Sequence, residues 1–207
     1  MTTMPPDLAP RLRAALRARP PRRLRVRGAR DAAVLIPVVG GDEPSLLFTV
    51  RSETLSSHSG QISFPGGRID PGDASPAAAA VREAHEEIGL DPNEVEIVGE
   101  LDWIQTYVSG YVVVPVVGWL PARAPLRPNP AEVARVLDVP LAKLSDAIRA
   151  NAGFTHAGRT YPTEAWVYDD DVIWGVTARI LRSFLGRLAD AGLAARPSEE
   201  RSRWAAR

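Results

Sequence analysis

The first apolar pattern in the chain is helical. Leu8, Leu12, Ala15 and Leu16 recur at helical spacing after Asp7, and Pro20 and Pro21 cannot continue the element, so a short docked helix is predicted before them. DAAVLIPVV and SLLFTVR are unbroken apolar runs separated by the turn between Gly40 and Pro44, and they predict two strands. From Val50 to Asp73 no period survives, and the segment reads mostly as loop. VEIVGELDWI and YVVVPVVGWL are the next strand candidates. Pro115 inside the second has no amide to give a ladder, which places it at an edge or a bulge. After a proline-rich connection over 121–130, VARVLDVPLAKL predicts a short strand and helix. Val172, Val176, Ile180, Phe184 and Leu188 predict a closing helix over 172–189, followed by a polar tail over 196–207. No internal repeat is visible. The mixed order of elements implies an α/β or α+β fold with one sheet between helices. It divides the chain into an N-terminal helical arm (1–30), a main domain (31–195) and the tail.

One predicted helix carries chemistry. Ser75 suits an N-cap, Pro76 the first helical position and Gly89 the left-handed residue past the last turn, so a helix is expected over 76–88. At about 100° per residue, Ala77, Val81, Ala84 and Ile88 share one side, and Glu83, Glu86 and Glu87 fall on nearly the opposite side. Glutamates three and four apart repel by a few tenths of a kcal/mol per pair, and the last two also oppose the helix dipole. A solvated acidic face is the ordinary reading of such a cluster. A hard divalent cation, which takes oxygen ligands, would reverse the sign of the interaction. Phe64, Pro65, Gly66 and Gly67 form a nearby loop whose glycines let backbone approach a ligand closely.

Composition narrows the chemistry further. In 207 residues, 25 basic side chains balance 25 acidic ones, so no global field draws the chain to nucleic acid or an anionic membrane. No cysteine is present, so carboxylates and histidines must carry any metal chemistry. No apolar run reaches the roughly 18 residues of a membrane span, and a cytoplasmic location is expected. Arg51 could meet a phosphate as a bidentate donor, and Tyr111 could line a pocket, although a surface ion pair and a core ring are the commoner fates of these residue types.

The stretch from Gly67 to Leu90 resembles the box of the Nudix hydrolases: Gly67 leads, Asp73 stands at the first acidic position, and Arg82, Glu83, Ala84, Glu86, Glu87, Gly89 and Leu90 complete it. The aspartate, and the eight residues rather than seven between it and Arg82, are similar to the coenzyme A diphosphatase branch of that family. LFTVRS, Gly60 and FPGG upstream, with VSGYVVVPVVG and IWGVTARIL downstream, extend the likeness over roughly 32–185. Ser56 stands where that branch has an arginine. The resemblance implies a Nudix fold and Mg²⁺ or Mn²⁺ held by Glu83, Glu86 and Glu87 with the Gly67 carbonyl. It further implies that Arg82 braces the loop and that Glu83 or Glu132 acts as general base. Arg51, Phe64, Gly66, Gly67 and Tyr111 are the implied substrate contacts. The implied reaction is hydrolysis of coenzyme A or a derivative to phosphopantetheine and 3',5'-adenosine bisphosphate. ADP-ribose or another nucleoside diphosphate derivative is the alternative substrate, and a non-catalytic nucleotide sensor is the alternative from another class. The apolar flanking helices leave a homodimer open.

Overall fold

The computed structural model describes residues 7–52, 60–106, 109–146, 148–156 and 159–194. Helix α1 (Leu8–Ala18) forms where predicted and buries Leu8, Leu12 and Leu16. Strands β1 (Arg30–Val39) and β7 (Tyr111–Leu120) pair in parallel along their full lengths, from Arg30 opposite Tyr111 to Val39 opposite Leu120. Their continuous apolar runs follow from burial on both faces. Side chains alternate across the sheet: Ala33, Leu35, Val114 and Val116 pack on one face, whereas Ile36, Val38, Val113 and Val117 pack on the other.

Around this pair lie β2 (Ser45–Arg51), β3 (Ile62–Ser63), β4 (Gly66–Arg68), β5 (Glu96–Glu100), β6 (Ile104–Gln105) and β8 (Val133–Pro140), giving an eight-stranded mixed sheet among the described residues. Helix α2 (Pro76–Ile88) covers the first face. The second is covered by α1 and α4 (Gly175–Asp190). The short helix α3 (Leu141–Asp146) follows β8, and β9 (Ile148–His156), β10 (Arg159–Tyr168) and β11 (Asp171–Trp174) form a separate three-stranded antiparallel sheet. This is the expected α+β arrangement of a mixed sheet between helices.

Four details differ from the sequence reading. The supposed loop from Val50 to Asp73 contains β3 and β4, which are too short to show a period and are held by pairing with β2 and β1. Pro115 is neither at an edge nor in a bulge of its own strand. It sits in the interior strand β7, and the flanking ladder is interrupted beside it: β5 ends at Glu100, β6 begins at Ile104, and the Pro115 carbonyl accepts the Leu101 amide. VEIVGELDWI is accordingly two strands rather than one. Val172 belongs to β11, and the closing helix starts only at Gly175.

The polypeptide leading from α1 is fastened to the sheet. Asp102 accepts the Arg22 amide at 3.0 Å and Nε at 3.1 Å. Arg187 of α4, only 4% exposed, donates to Asp102 at 3.3 Å and to the Arg19 carbonyl at 2.6 Å. Leu12 is fully buried in the core shared with α4. Leu12→Ala is therefore expected to cost about 2–5 kcal/mol of the whole protein's stability in a single cooperative denaturant transition. An early, separate transition with the main one unmoved would show instead that α1 folds independently.

Candidate functional site

Helix α2 forms as its ends dictate. Ser75 Oγ accepts the Ala78 amide at 3.1 Å, and Gly89, at φ 65°, returns its amide to the His85 carbonyl. The buried stripe is rotated from the expected one: Ala79, Ala80, Ala84 and Ile88 are buried, whereas Ala77 and Val81 are half-buried. The reason is a second covering element. Besides the sheet, α2 packs against β4 and its loop, so the crease between these two surfaces shelters part of the acidic side. Glu83 and Glu87 lie in that crease and are half-buried, while Glu86 points outward with its side chain 53% exposed.

The glycine turn closes onto this crease. Gly66 donates its amide to Glu87 Oε2 at 3.3 Å. A Cβ on Gly67 would lie 2.6 Å from the carboxylate atoms of Glu83, so only glycine leaves that carboxylate its place. Gly66 is constrained differently: its Cβ would meet the Ala33 carbonyl oxygen at 2.4 Å and Val34 Cα at 2.6 Å, because β4 pairs there with β1. Gly66→Ala must displace backbone and is expected to destabilise the fold by about 1–3 kcal/mol. Gly67→Ala can be relieved by turning one side chain, so its melting temperature should stay close to wild type while activity falls at least about tenfold through the displaced Glu83. Parallel melting and turnover measurements would show whether the two variants separate in this way.

Arg82 ties the loop to the helix. It grips Asp73 through Nε and Nη2, both at 3.0 Å, and also donates to the Arg68 carbonyl at 3.1 Å, to Glu83 at 2.9 Å and to Glu86 at 3.1 Å. The guanidinium hydrogen bond holds the Asp73 carboxyl below its ordinary range, and the same bond keeps Arg82 firmly protonated. Burial acts the other way on the crease. It pushes Glu83 up, against the bonds from Arg82, and pushes Glu87 up to about 8, with the charges of Glu83 and Glu132 adding to the rise and the Gly66 amide and Arg51 opposing it.

Glu132 and Arg51 reach the site by way of a clamp on the end of α2. The Asn129 amide donates to the Glu87 carbonyl at 2.8 Å and the Arg127 amide to the Ile88 carbonyl at 2.7 Å, satisfying two orphan carbonyls of the helix. Glu132 follows directly, and its carbonyl accepts the Ser52 amide at 2.8 Å beside the end of β2, where Arg51 lies. Both side chains act electrostatically on Glu87.

A cavity of about 300 Å³ opens behind the glycine turn, with Gly66 and Gly67 in its wall. Phe64 and Tyr111 line it, and Phe64 is also a core residue that stacks on Phe48 with centroids 4.6 Å apart. Arg30 lies over the Tyr111 ring at 4.3 Å. Sequence reasoning missed Arg68 and Thr177, which line the same cavity. Nothing local marks them, since they come from distant parts of the chain and meet only as walls of the same cavity. Ser56 lies outside the described residues.

Among the described residues no trio of carboxylates or imidazoles stands in a ready-made metal cage. The donor chemistry nevertheless fits a hard divalent cation: two neighbouring carboxylates, both raised chiefly by burial, face a turn that only glycine can bring so close. No helix among the described residues is long and apolar enough to cross a membrane.

Residues 29–157 match the model of the NUDIX domain. The chain is 42% identical over 163 residues to the uncharacterized Nudix hydrolase NudL of Photorhabdus laumondii, covering 78% of this chain and 86% of that protein. It is likewise 42% identical over 164 residues to the uncharacterized Nudix hydrolase NudL of Escherichia coli K12, covering 74% and 80%. Among solved structures, a MutT/nudix family protein from Enterococcus faecalis shares the fold with a TM-score of 0.51 at 14% identity, covering 89% of this chain and 70% of that one.

Proposed function

Because this chain belongs to the Nudix hydrolase family, whose members generally use divalent cations on small nucleotide substrates, we propose that it hydrolyses the diphosphate of coenzyme A or a close derivative. The products are phosphopantetheine and 3',5'-adenosine bisphosphate. The observation that carries the site is the closure of the Gly66–Gly67 turn onto Glu83 and Glu87. Support for the substrate comes from LFTVRS, Gly60 and FPGG standing upstream in the register of the coenzyme A branch.

Glu83 and Glu87 would be the principal ligands for Mg²⁺ or Mn²⁺, with the Gly67 carbonyl and Glu86 as further donors. The bound ion supplies neutralisation of charge on the diphosphate oxygens. Arg82 acts through position, locking Asp73, the Arg68 carbonyl and the helix into one frame. Water attacks one phosphorus; its oxygen forms the new bond, the bridging P–O bond breaks with its electron pair leaving on the departing phosphate, and the water's proton passes to a carboxylate. Glu132 suits the proton better than Glu83, because accepting it does not compete with holding the ion. Arg51, Phe64, Gly66 and Tyr111 contact the substrate.

Ser56, in place of the branch's arginine, favours a second reading in which ADP-ribose or another nucleoside diphosphate derivative is the substrate. Turnover with Mg²⁺ on a panel of coenzyme A, ADP-ribose and dinucleotides tests this directly, with the highest kcat/KM expected for coenzyme A. A clear preference for ADP-ribose would overturn the substrate, and tight nucleotide binding with no turnover of any would point to a sensor.

A further inference from the structure

The cavity behind the glycine turn adjoins the acidic crease but belongs to the other face of the sheet. Strand alternation sets this: Gly67 is paired with Ala33, which packs toward α2, whereas Gly66 is paired with Val34 and Arg68 with Ala32, and both of these partners line the cavity. The turn is therefore a partition. A side chain on Gly67 would strike the Glu83 carboxylate on one side, and on the other both glycines form cavity wall. Among the described strands β4 pairs only with β1, so the ladder does not continue past the turn. Most of the lining is apolar, with Val34, Val113, Val176 and Ile180 set around the Tyr111 ring. Ala32, Val34, Tyr111 and Val176 pack against the core yet are only half-buried, which leaves part of their apolar surface uncovered. No acidic side chain lines the cavity. Its one charged residue, Arg68, is exposed and forms no ion pair among the described residues.

An uncharged interior of about 300 Å³, large enough for part of a small ligand, lies one turn away from a crease suited to a cation and a diphosphate. Such a pair fits a substrate whose charge ends where the cavity begins. We propose that the cavity receives the uncharged, branched body joined directly to the diphosphate, namely the pantetheine arm of a coenzyme A-type substrate. The assignment rests on the reading above and deepens it by placing one half of the substrate around the Gly66–Gly67 turn. The pantetheine arm carries a dimethyl-substituted carbon close to its phosphate ester and no ionisable group before its thiol. Seating it removes those methyl groups and the half-buried walls from water together, which is favourable. The terminal ribose of ADP-ribose would bring hydroxyls to the same walls, where valine and isoleucine give them no partner in exchange for water.

Calorimetric titration of the full chain in Mg²⁺, with 4'-phosphopantetheine and ribose 5-phosphate as probes, tests the assignment without turnover. Neither probe has a diphosphate to cleave, and each carries one phosphate monoester, so the ratio of their affinities isolates the arm. 4'-Phosphopantetheine should bind at least about tenfold more tightly, a gain that burial of about two methylene groups supplies. Val176→Phe, which fills the cavity from α4, should cut that ratio at least about fivefold. Val176→Asp should cut it as much by placing a charge in the apolar wall. An acid is compatible with the first turn of a helix, so this variant remains informative should Val176→Phe fold poorly. Equal affinity for the two probes, no binding of 4'-phosphopantetheine, or a ratio unchanged in the folded variants would overturn the assignment, even with coenzyme A cleaved. Absence of coenzyme A cleavage, with the ratio intact and sensitive to Val176, would instead remove the proposed reaction and leave the cavity assignment standing.

Discussion

Glu83→Gln is expected to lower turnover by about a hundred- to ten-thousandfold while leaving the protein folded. The amide keeps the volume of the carboxylate beside Gly67, and its oxygen can still accept from Arg82 Nη1, so the local frame survives. Lost is the charge that a divalent ion needs. Because burial disfavours that charge in the metal-free protein, the variant should melt no lower than wild type. Glu86→Gln should do less harm, since Glu86 is exposed and already paired with Arg82 at the helix surface. Steady-state kinetics at saturating Mg²⁺, with melting curves on the same preparations, would check the order. An equal loss at Glu83 and Glu86, or full activity in Glu83→Gln, would mean that the crease is not where the ion sits.

Glu87 should make the metal-free protein less stable as the pH rises. Its carboxyl is pushed by burial from an ordinary value of 4.5 to about 8 in the folded state. A folded-state value above the unfolded one favours the protonated folded form. The contribution is therefore complete below about pH 4.5 and is lost as the pH rises through about 8. Melting curves in EDTA from pH 6 to 9 should fall for wild type and fall less for Glu87→Gln. Near pH 9 the variant should melt at least about 2–4 °C higher, the shift that 1 kcal/mol produces in a chain of this size. Mg²⁺ should raise the wild-type melting temperature most at the alkaline end, where the carboxylate is charged, and should raise that of the variant little. Equal slopes in the two proteins would show that Glu87 does not titrate in the crease.

What could be read in advance was local. Ser75, Pro76 and Gly89 fix the ends of α2 through capping and a left-handed residue, and neither depends on the rest of the fold. The continuous apolar runs of β1 and β7 announce strands buried on both faces. Spacing in α2 was sufficient to set the glutamates apart from the core. It also puts Glu83 and Glu87, four apart, closest in azimuth and so favours them over Glu86 as ligands. It could not show that those two are sheltered and Glu86 exposed, because that difference comes from β4 folding back over one flank of the helix. The pairing of β4 with β1 was hidden for the same reason, since three residues carry no period and their register is set by the partner strand. Pro115 misled because an interior strand can tolerate proline where its neighbour breaks, and that break between β5 and β6 is tertiary. Glu132 came to attention only through resemblance. Its route to the site is the clamp of Arg127 and Asn129 on the end of α2, which has no signature in sequence.

The most direct test is Mn²⁺ titration of the folded, metal-free protein followed by electron paramagnetic resonance. Wild type should take up the ion saturably, and Glu83→Gln and Glu87→Gln should each weaken uptake at least about tenfold, as expected when a charged ligand is removed. Unchanged uptake in both variants, with wild-type melting curves, would contradict the account.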